Sequence, residues 1–305
     1  MKSSPLILGI KGYSLTQAEK EIYASANPFG FILFKRNMQS ARQVLQLTSD
    51  LRQLCNDLQY IFIDEEGGRV SRLMTSNLVP KGTFPPAYSF YELCLKDGLS
   101  VAQKEVEENY FTIGTRLKEL GINGNFAPVA DLLYNQANGV IGNRSFGPAK
   151  AIVISLCRSA LAGLRQAGVD GCIKHIPGHG LAKQDSHISL PIVENDLEFL
   201  QARDFSVFNQ LAKDAQFAMT AHVLYTCLDD SDPITTSKKA ISYIKQNIFN
   251  GQLITDDIAM GALGQDIVDN AKKAFAAGCD IILYGDPDLS NIVKIVELLP
   301  NNITK

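Results

Sequence analysis

Three of the four histidines in the chain lie between positions 175 and 187. They belong to Lys174-His175-Ile176-Pro177-Gly178-His179-Gly180 and, a few residues on, Asp185-Ser186-His187. A Pro-Gly pair separates His175 from His179, which makes the segment a loop leaving a strand and argues against a zinc helix with two histidines on one face. Asp185 and His187 are one residue apart, so in an extended segment their side chains share a side. A carboxylate that holds an imidazole in this way is equipment for proton transfer.

Such a loop needs a scaffold, and the rest of the chain predicts one. Eight short β-branched runs are candidate strands: Leu6 to Ile10, Gly30 to Phe34, Tyr60 to Ile63, Gly124 to Pro128, Gly171 to Lys174, Phe217 to Ala221, Gln252 to Thr255 and Asp280 to Tyr284. They alternate with eight segments of helical period: 16–26, 40–56, 100–120, 148–167, 196–213, 237–249, 267–277 and 288–299. Strict alternation implies a parallel sheet with right-handed crossovers, and eight units in 305 residues point to a single closed (β/α)8 TIM barrel spanning residues 1–305. Polar capping candidates at 14–16, 37–40, Asp196 and Thr236-Ser237 precede helical segments. Gly121, Gly168, Gly251 and Gly278 follow them. Two long connections, about 66 to 99 and 131 to 147, fall after strands three and four, on the face where barrel enzymes carry their chemistry.

Composition removes other classes. A net charge of −3 and a pI near 5.9 leave no footprint for nucleic acid. No stretch approaches a membrane span of about 20 apolar residues, and Lys11 cuts the N-terminal apolar run below the length of a signal-peptide core. Six dispersed cysteines without a Cys-x-x-Cys motif read as reduced core residues of a cytoplasmic protein. Neither a P-loop nor a Gly-x-Gly-x-x-Gly links the first strand to its helix; Gly9, Gly12 and Gly30 have the wrong spacing.

Polar residues gather where the strands end: Lys35-Arg36-Asn37, Asp64-Glu65-Glu66, Asp131, Lys174-His175, His222 and Asp256-Asp257. Carboxylates among cationic donors, without a phosphate loop or a cysteine cage, suit a neutral polyhydroxylated substrate. A glycosidase needs a carboxylate beside the anomeric carbon and a proton donor beside the leaving oxygen. Asp256 can be the first, and the Asp185-His187 pair the second.

These motifs resemble glycoside hydrolase family 3. The histidine loop, Asp185-Ser186-His187 and Ile254-Thr255-Asp256-Asp257 are similar, more narrowly, to bacterial β-N-acetylglucosaminidases of peptidoglycan recycling. Supporting matches run along roughly residues 30 to 285, among them Asp64-Glu65-Glu66-Gly67-Gly68-Arg69-Val70-Ser71-Arg72, Asn125 to Asp131, Ile141 to Phe146 and Arg203-Asp204-Phe205. The resemblance implies a retaining, two-step mechanism with Asp256 as nucleophile and His187, oriented by Asp185, as general acid and base. It implies that Asp64, Arg72, Arg144, Lys174 and His175 hold the sugar, with no cofactor and no metal. It also implies cytoplasmic, monomeric, exo-acting cleavage of N-acetylglucosamine from anhydromuramoyl muropeptides.

Asp257 instead of Trp after the nucleophile, and the absence of Trp anywhere, favour the histidine-using branch over glucosidases that take their acid from a second domain. Glu65, where relatives often carry Gln, is expected to add negative charge near Asp64, and Leu181-Ala182 replaces a common Asp-Thr. His179 is expected to stabilise its loop, Asp257 to support, and His222 either to be buried and hydrogen-bonded or to form pocket floor. Three alternatives stay open: a catalytically silent sugar-binding barrel, a metal-dependent hydrolase built on His175, His179, His187 and Asp256, and phosphorolysis in place of hydrolysis.

Overall fold

The computed structural model describes residues 3–55, 57–134, 139–182, 184, 186 and 189–298. Among these, eight parallel strands form the barrel: β1 (Ser4–Gly9), β2 (Pro28–Leu33), β3 (Tyr60–Ile63), β4 (Gly124–Asn125), β5 (Asp170–Ile176), β6 (Phe217–Thr220), β7 (Gln252–Ile254) and β8 (Ile282–Tyr284). They pair in chain order from β1 to β7, and β8 pairs with β1. A parallel bridge between Ile254 and Ile281 completes the ring. Every candidate strand is present, so the expected (β/α)8 architecture holds.

Alternation along the strands divides the apolar residues into two cores. Ile7, Ile32, Phe62, Cys172, Phe217, Met219, Ile254 and Leu283 point inward and fill the barrel with Phe126; the Phe62 and Phe126 rings stack at 4.6 Å. Their strand neighbours, such as Leu8, Phe31, Ile61, Ile173 and Ala218, face the helices in the second cluster. All six cysteines are free, and five are buried.

The helices begin where capping residues were expected. Thr16 and Glu19 form a reciprocal capping box ahead of α1 (Gln17–Ala26), and Ser40, Asp196 and Ser237 each accept a first-turn N–H. At the far ends, Gly121 and Gly168 take φ values of +75°, which closes their helices in the left-handed conformation that glycine adopts without strain. Gly251 lies outside that pattern.

Two departures bear on the site. The segment 196–213 is not one helix: Arg203 (φ −119°, ψ −95°) interrupts it, and Arg203 and Asp204 both turn to the Tyr134 hydroxyl, at 3.0 and 2.7 Å. The connection 66–99 contains a small hairpin (Glu65–Gly67 with Val70–Ser71), a short helix Arg72–Thr75 and a longer helix Ala87–Asp97. Phe84, within this connection, is buried.

Candidate active site

The C-terminal ends of the strands open into a cavity of about 350 Å³, within the range of small-molecule sites. Asp64 from the end of β3, Lys174 and His175 from β5 and Asp256 from the end of β7 all line it. So do Arg72, from the short helix, and Arg144, from the turn Gly142–Arg144. Strand β5 runs two residues beyond its expected end, so His175 projects from the strand itself. The Lys174–His175 peptide is cis.

The charges interlock. Lys174 Nζ stands 2.8 Å from Asp64 Oδ1 and 2.7 Å from Glu66 Oε1. Arg144 reaches Glu66 through two bonds of 2.8 Å, and Arg72 reaches Asp64 at 3.3 Å. Burial by itself would raise both carboxyls. Lys174 and Arg72 outweigh it at Asp64 and hold that group well below the ordinary carboxylate range, while Arg144 and Lys174 bring Glu66 down to about 2. The site is thus a ring of ionised groups already ordered by one another, suited to hydrogen-bonding hydroxyls from several directions.

Asp256 and Asp257 have different environments. Burial opposes ionisation of Asp256, but His222, His175 and the Asp257 N–H, 2.8 Å from Asp256 Oδ1, keep it low. Burial pushes Asp257 up to about 6, and Asp256 and Asp286 add to that, although its Oδ1 accepts the N–H groups of Ala259 (3.0 Å) and Gly285 (3.3 Å). Asp256 is thus held ionised, while the Asp257 carboxyl is turned to backbone N–H groups of its own loop and of Gly285. His222 is the buried, hydrogen-bonded alternative, bound by Thr235 Oγ1 at 2.7 Å and the Asp257 carbonyl at 3.0 Å.

Asp185 and His187 lie outside the described residues. Ser186, between them in sequence, lines the cavity and meets His179 Nε2 at 3.1 Å. His179 also donates its backbone N–H to Asp131 at 2.7 Å; these contacts hold the loop, while its buried Nδ1 meets no hydrogen-bond partner among the described residues. Burial lowers its imidazole to about 4, and His175 contributes. Among the described residues no group of three or more His, Cys, Asp or Glu side chains is placed to hold a metal ion.

One expectation is corrected. Glu65 does not add charge against Asp64: successive side chains of an extended segment point to opposite sides. The Glu65 carboxyl is fully buried and accepts the Leu73 N–H at 2.9 Å, at the start of the helix that carries Arg72. Burial raises it to about 7. Leu181 packs on the core and Ala182 is buried in it.

Two residues that organise the site were not singled out from the sequence. Glu66 is two positions from Asp64, and the same alternation that turns Glu65 away places Asp64 and Glu66 on one face; that signal was available. Asp131 was visible only as an acidic residue after the fourth strand, with nothing local to link it to the histidine loop.

Residues 8–304 match the glycosyl hydrolase family 3 N-terminal domain. The chain is 33% identical over 303 residues to a β-hexosaminidase of Neisseria meningitidis, covering 98% of this chain and 82% of that one. It is 32% identical to a β-hexosaminidase of Methylobacillus flagellatus, covering 99% and 84%. The crystal structure of NagZ from Neisseria gonorrhoeae in complex with N-trifluoroacetyl-D-glucosamine superposes with a TM-score of 0.89 at 31% identity, over 100% of this chain and 88% of that one. A family 3 β-N-acetylglucosaminidase from Paenibacillus sp. gives 0.86 at 29%, over 97% and 56%. Barrel, cavity and relatives converge: the chain belongs to glycosyl hydrolase family 3 and is a glycoside hydrolase.

Proposed function

We propose that the chain is a retaining exo-β-N-acetylglucosaminidase that releases terminal N-acetylglucosamine from peptidoglycan-derived muropeptides. The observation that carries this reading is the ionised Asp256 in one cavity with Asp64, Arg72, Arg144, Lys174 and His175. The likeness to β-hexosaminidases supports the choice of sugar.

In the first step Asp256 attacks the anomeric carbon, and the bond from that carbon to the leaving oxygen breaks. His187, oriented by Asp185, gives its proton to that oxygen. In the second step His187 takes a proton from water, the water oxygen bonds to the anomeric carbon, and Asp256 leaves as a carboxylate. Ser186 at the cavity edge supports the assignment of its two neighbours to this role. Asp64, Arg72, Arg144, Lys174 and His175 hold the ring hydroxyls, and their mutual ion pairs fix their positions before substrate arrives. The single barrel acts as a monomer in the cytoplasm on imported wall fragments. Among the described residues no helix is long and apolar enough to cross a membrane.

The deciding experiment compares 4-nitrophenyl β-glycosides of N-acetylglucosamine and of glucose on the intact protein and on Asp256→Ala, with and without phosphate. Release from the first sugar alone, lost in the variant and yielding free sugar in both buffers, is expected. Sugar 1-phosphate as the product would make the enzyme a phosphorylase. Binding of the sugar without release would make it a silent barrel.

A further inference from the structure

Asp131 follows β4 and is fully buried. Its Oδ1 accepts the backbone N–H of His179 at 2.7 Å and lies 3.1 Å from that of His175; its Oδ2 meets His175 Nδ1 at 2.7 Å and lies 3.2 Å from the same backbone nitrogen. The backbone around it is fixed as well. Ser145 Oγ donates to the Asp131 carbonyl at 2.7 Å, and the Ala130 N–H donates to the Lys174 carbonyl at 2.8 Å. Both carboxylate oxygens are therefore occupied, and the group cannot rotate without breaking bonds to two histidines.

The backbone N–H groups of His179 and His175 donate to the Asp131 carboxylate and favour its ionised form. An ionised carboxylate only accepts hydrogen bonds, so the imidazole nitrogen facing it carries a proton. Which ring nitrogen of a histidine is protonated is set by the partner of the other one. His175 lines the cavity, so its second nitrogen is the one available to a ligand.

We propose that Asp131 is a positioning residue that keeps a proton on His175 Nδ1 and turns Nε2 to the cavity, where it accepts a hydrogen bond from one hydroxyl of the bound sugar. This inference rests on the carbohydrate reading of the cavity. It makes Asp131 a determinant of specificity at a distance: the site requires a hydroxyl that can donate at one ring position.

Asp131→Asn tests the idea because it keeps the shape of the side chain while it removes the charge and replaces one acceptor with a donor. A carboxamide has one acceptor oxygen, which the backbone N–H groups of His179 and His175 claim, and its NH₂ then faces His175 Nδ1. That arrangement forces the proton to Nε2 and turns the acceptor into a donor.

Nitrogen-15 NMR of histidine-labelled protein at about pH 8.5, two units above an ordinary imidazole, reads the tautomer; His175→Gln assigns the signal. The proton is expected on Nδ1 in the wild type and on Nε2 in Asp131→Asn. A wild-type His175 with its proton on Nε2 overturns the proposal without reliance on any variant.

A kinetic arm uses 4-nitrophenyl N-acetyl-β-glucosaminides that are deoxygenated or fluorinated at each ring hydroxyl in turn. At the hydroxyl whose contribution disappears in His175→Ala, the wild type should lose roughly 10- to 100-fold in kcat/KM with both analogues. Asp131→Asn should narrow that gap to a few-fold. Recovery of the parent rate by the fluorinated sugar, or an unchanged penalty in Asp131→Asn, would overturn the assignment. If the parent glycoside is not turned over at all, the glucosaminidase reading fails, and the NMR result still decides the tautomer.

Discussion

Arg144 grips Glu66 with two parallel bonds, Nε to Oε2 and Nη2 to Oε1, each 2.8 Å long, with the Arg144 side chain 12% and that of Glu66 4% exposed. Lys174 Nζ joins the same carboxylate at 2.7 Å. A planar guanidinium matched to a planar carboxylate fixes direction as well as distance. The arrangement therefore sets where two cations of the cavity wall point.

Removal of that carboxylate leaves two cations in a nearly dry site. Breaking a buried pair from one side typically costs about 3–5 kcal/mol, so Glu66→Ala should lose stability on that scale in chemical denaturation. KM should rise as Arg144 and Lys174 lose their shared anchor. Glu66→Gln, which keeps one acceptor, should lose less of both. Wild-type stability and KM in the alanine variant would remove Glu66 from this role.

Acid should act through the same group. Glu66 moves from an ordinary 4.5 to about 2 in the folded protein, so the unfolded chain binds the proton first. Its stabilisation is complete above about pH 4.5 and is lost as pH falls towards 2, and Asp64 changes in the same direction. Urea midpoints measured across that window should decline steeply for the wild type and less steeply for Glu66→Gln. Parallel slopes would assign acid sensitivity elsewhere.

Glu65 predicts the opposite slope. Burial raises its carboxyl from 4.5 to about 7, so between those values the folded protein binds more protons than the unfolded chain and stability falls as pH rises. Gln at position 65 can still accept the Leu73 N–H and does not ionise. Glu65→Gln should leave stability near pH 4 almost unchanged and add about 1–3 kcal/mol above pH 7. Thermal melts at both pH values check it; equal effects at the two would show that Glu65 does not titrate in this range.

These contrasts mark how far the sequence could be read. The eight strands, most helix starts and the cavity residues Asp64, Lys174, His175 and Asp256 follow from periodicity, capping chemistry and the rule that barrel sites sit at strand ends. Such signals are local. The Asp131 contacts join residues 44 and 48 positions apart, and the Glu66–Arg144 pair spans 78; nothing local encodes either. Glu65 was misjudged for another reason: its charge was read without the strand alternation that turns it away from Asp64.

Metal removal separates hydrolase classes. Among the described residues no group of three or more His, Cys, Asp or Glu side chains is placed to hold a metal ion. Prolonged dialysis against a chelator should leave turnover of the N-acetylglucosaminide within error of the untreated enzyme. Loss of activity that a divalent cation restores would revive the metal-dependent alternative.

Gly180 offers the sharpest steric test of the histidine loop. A Cβ at that position would lie 1.9 Å from the Leu132 carbonyl oxygen and 3.2 Å from the Tyr134 ring. Carbonyl and ring belong to the segment that begins with Asp131, so an alanine must push the loop away from the carboxylate that holds His175 and His179. Overpacking of this kind costs about 1–3 kcal/mol, and a displacement of about 1 Å in a catalytic loop can cost 100-fold in rate. Gly180→Ala should lower both Tm and kcat/KM on those scales. Gly12→Ala, with no atom within 4 Å of its new methyl, should change stability by no more than about 0.5 kcal/mol and leave turnover intact. Equal behaviour of the two variants would mean that contact between the loop and the 131–134 segment does not govern the site.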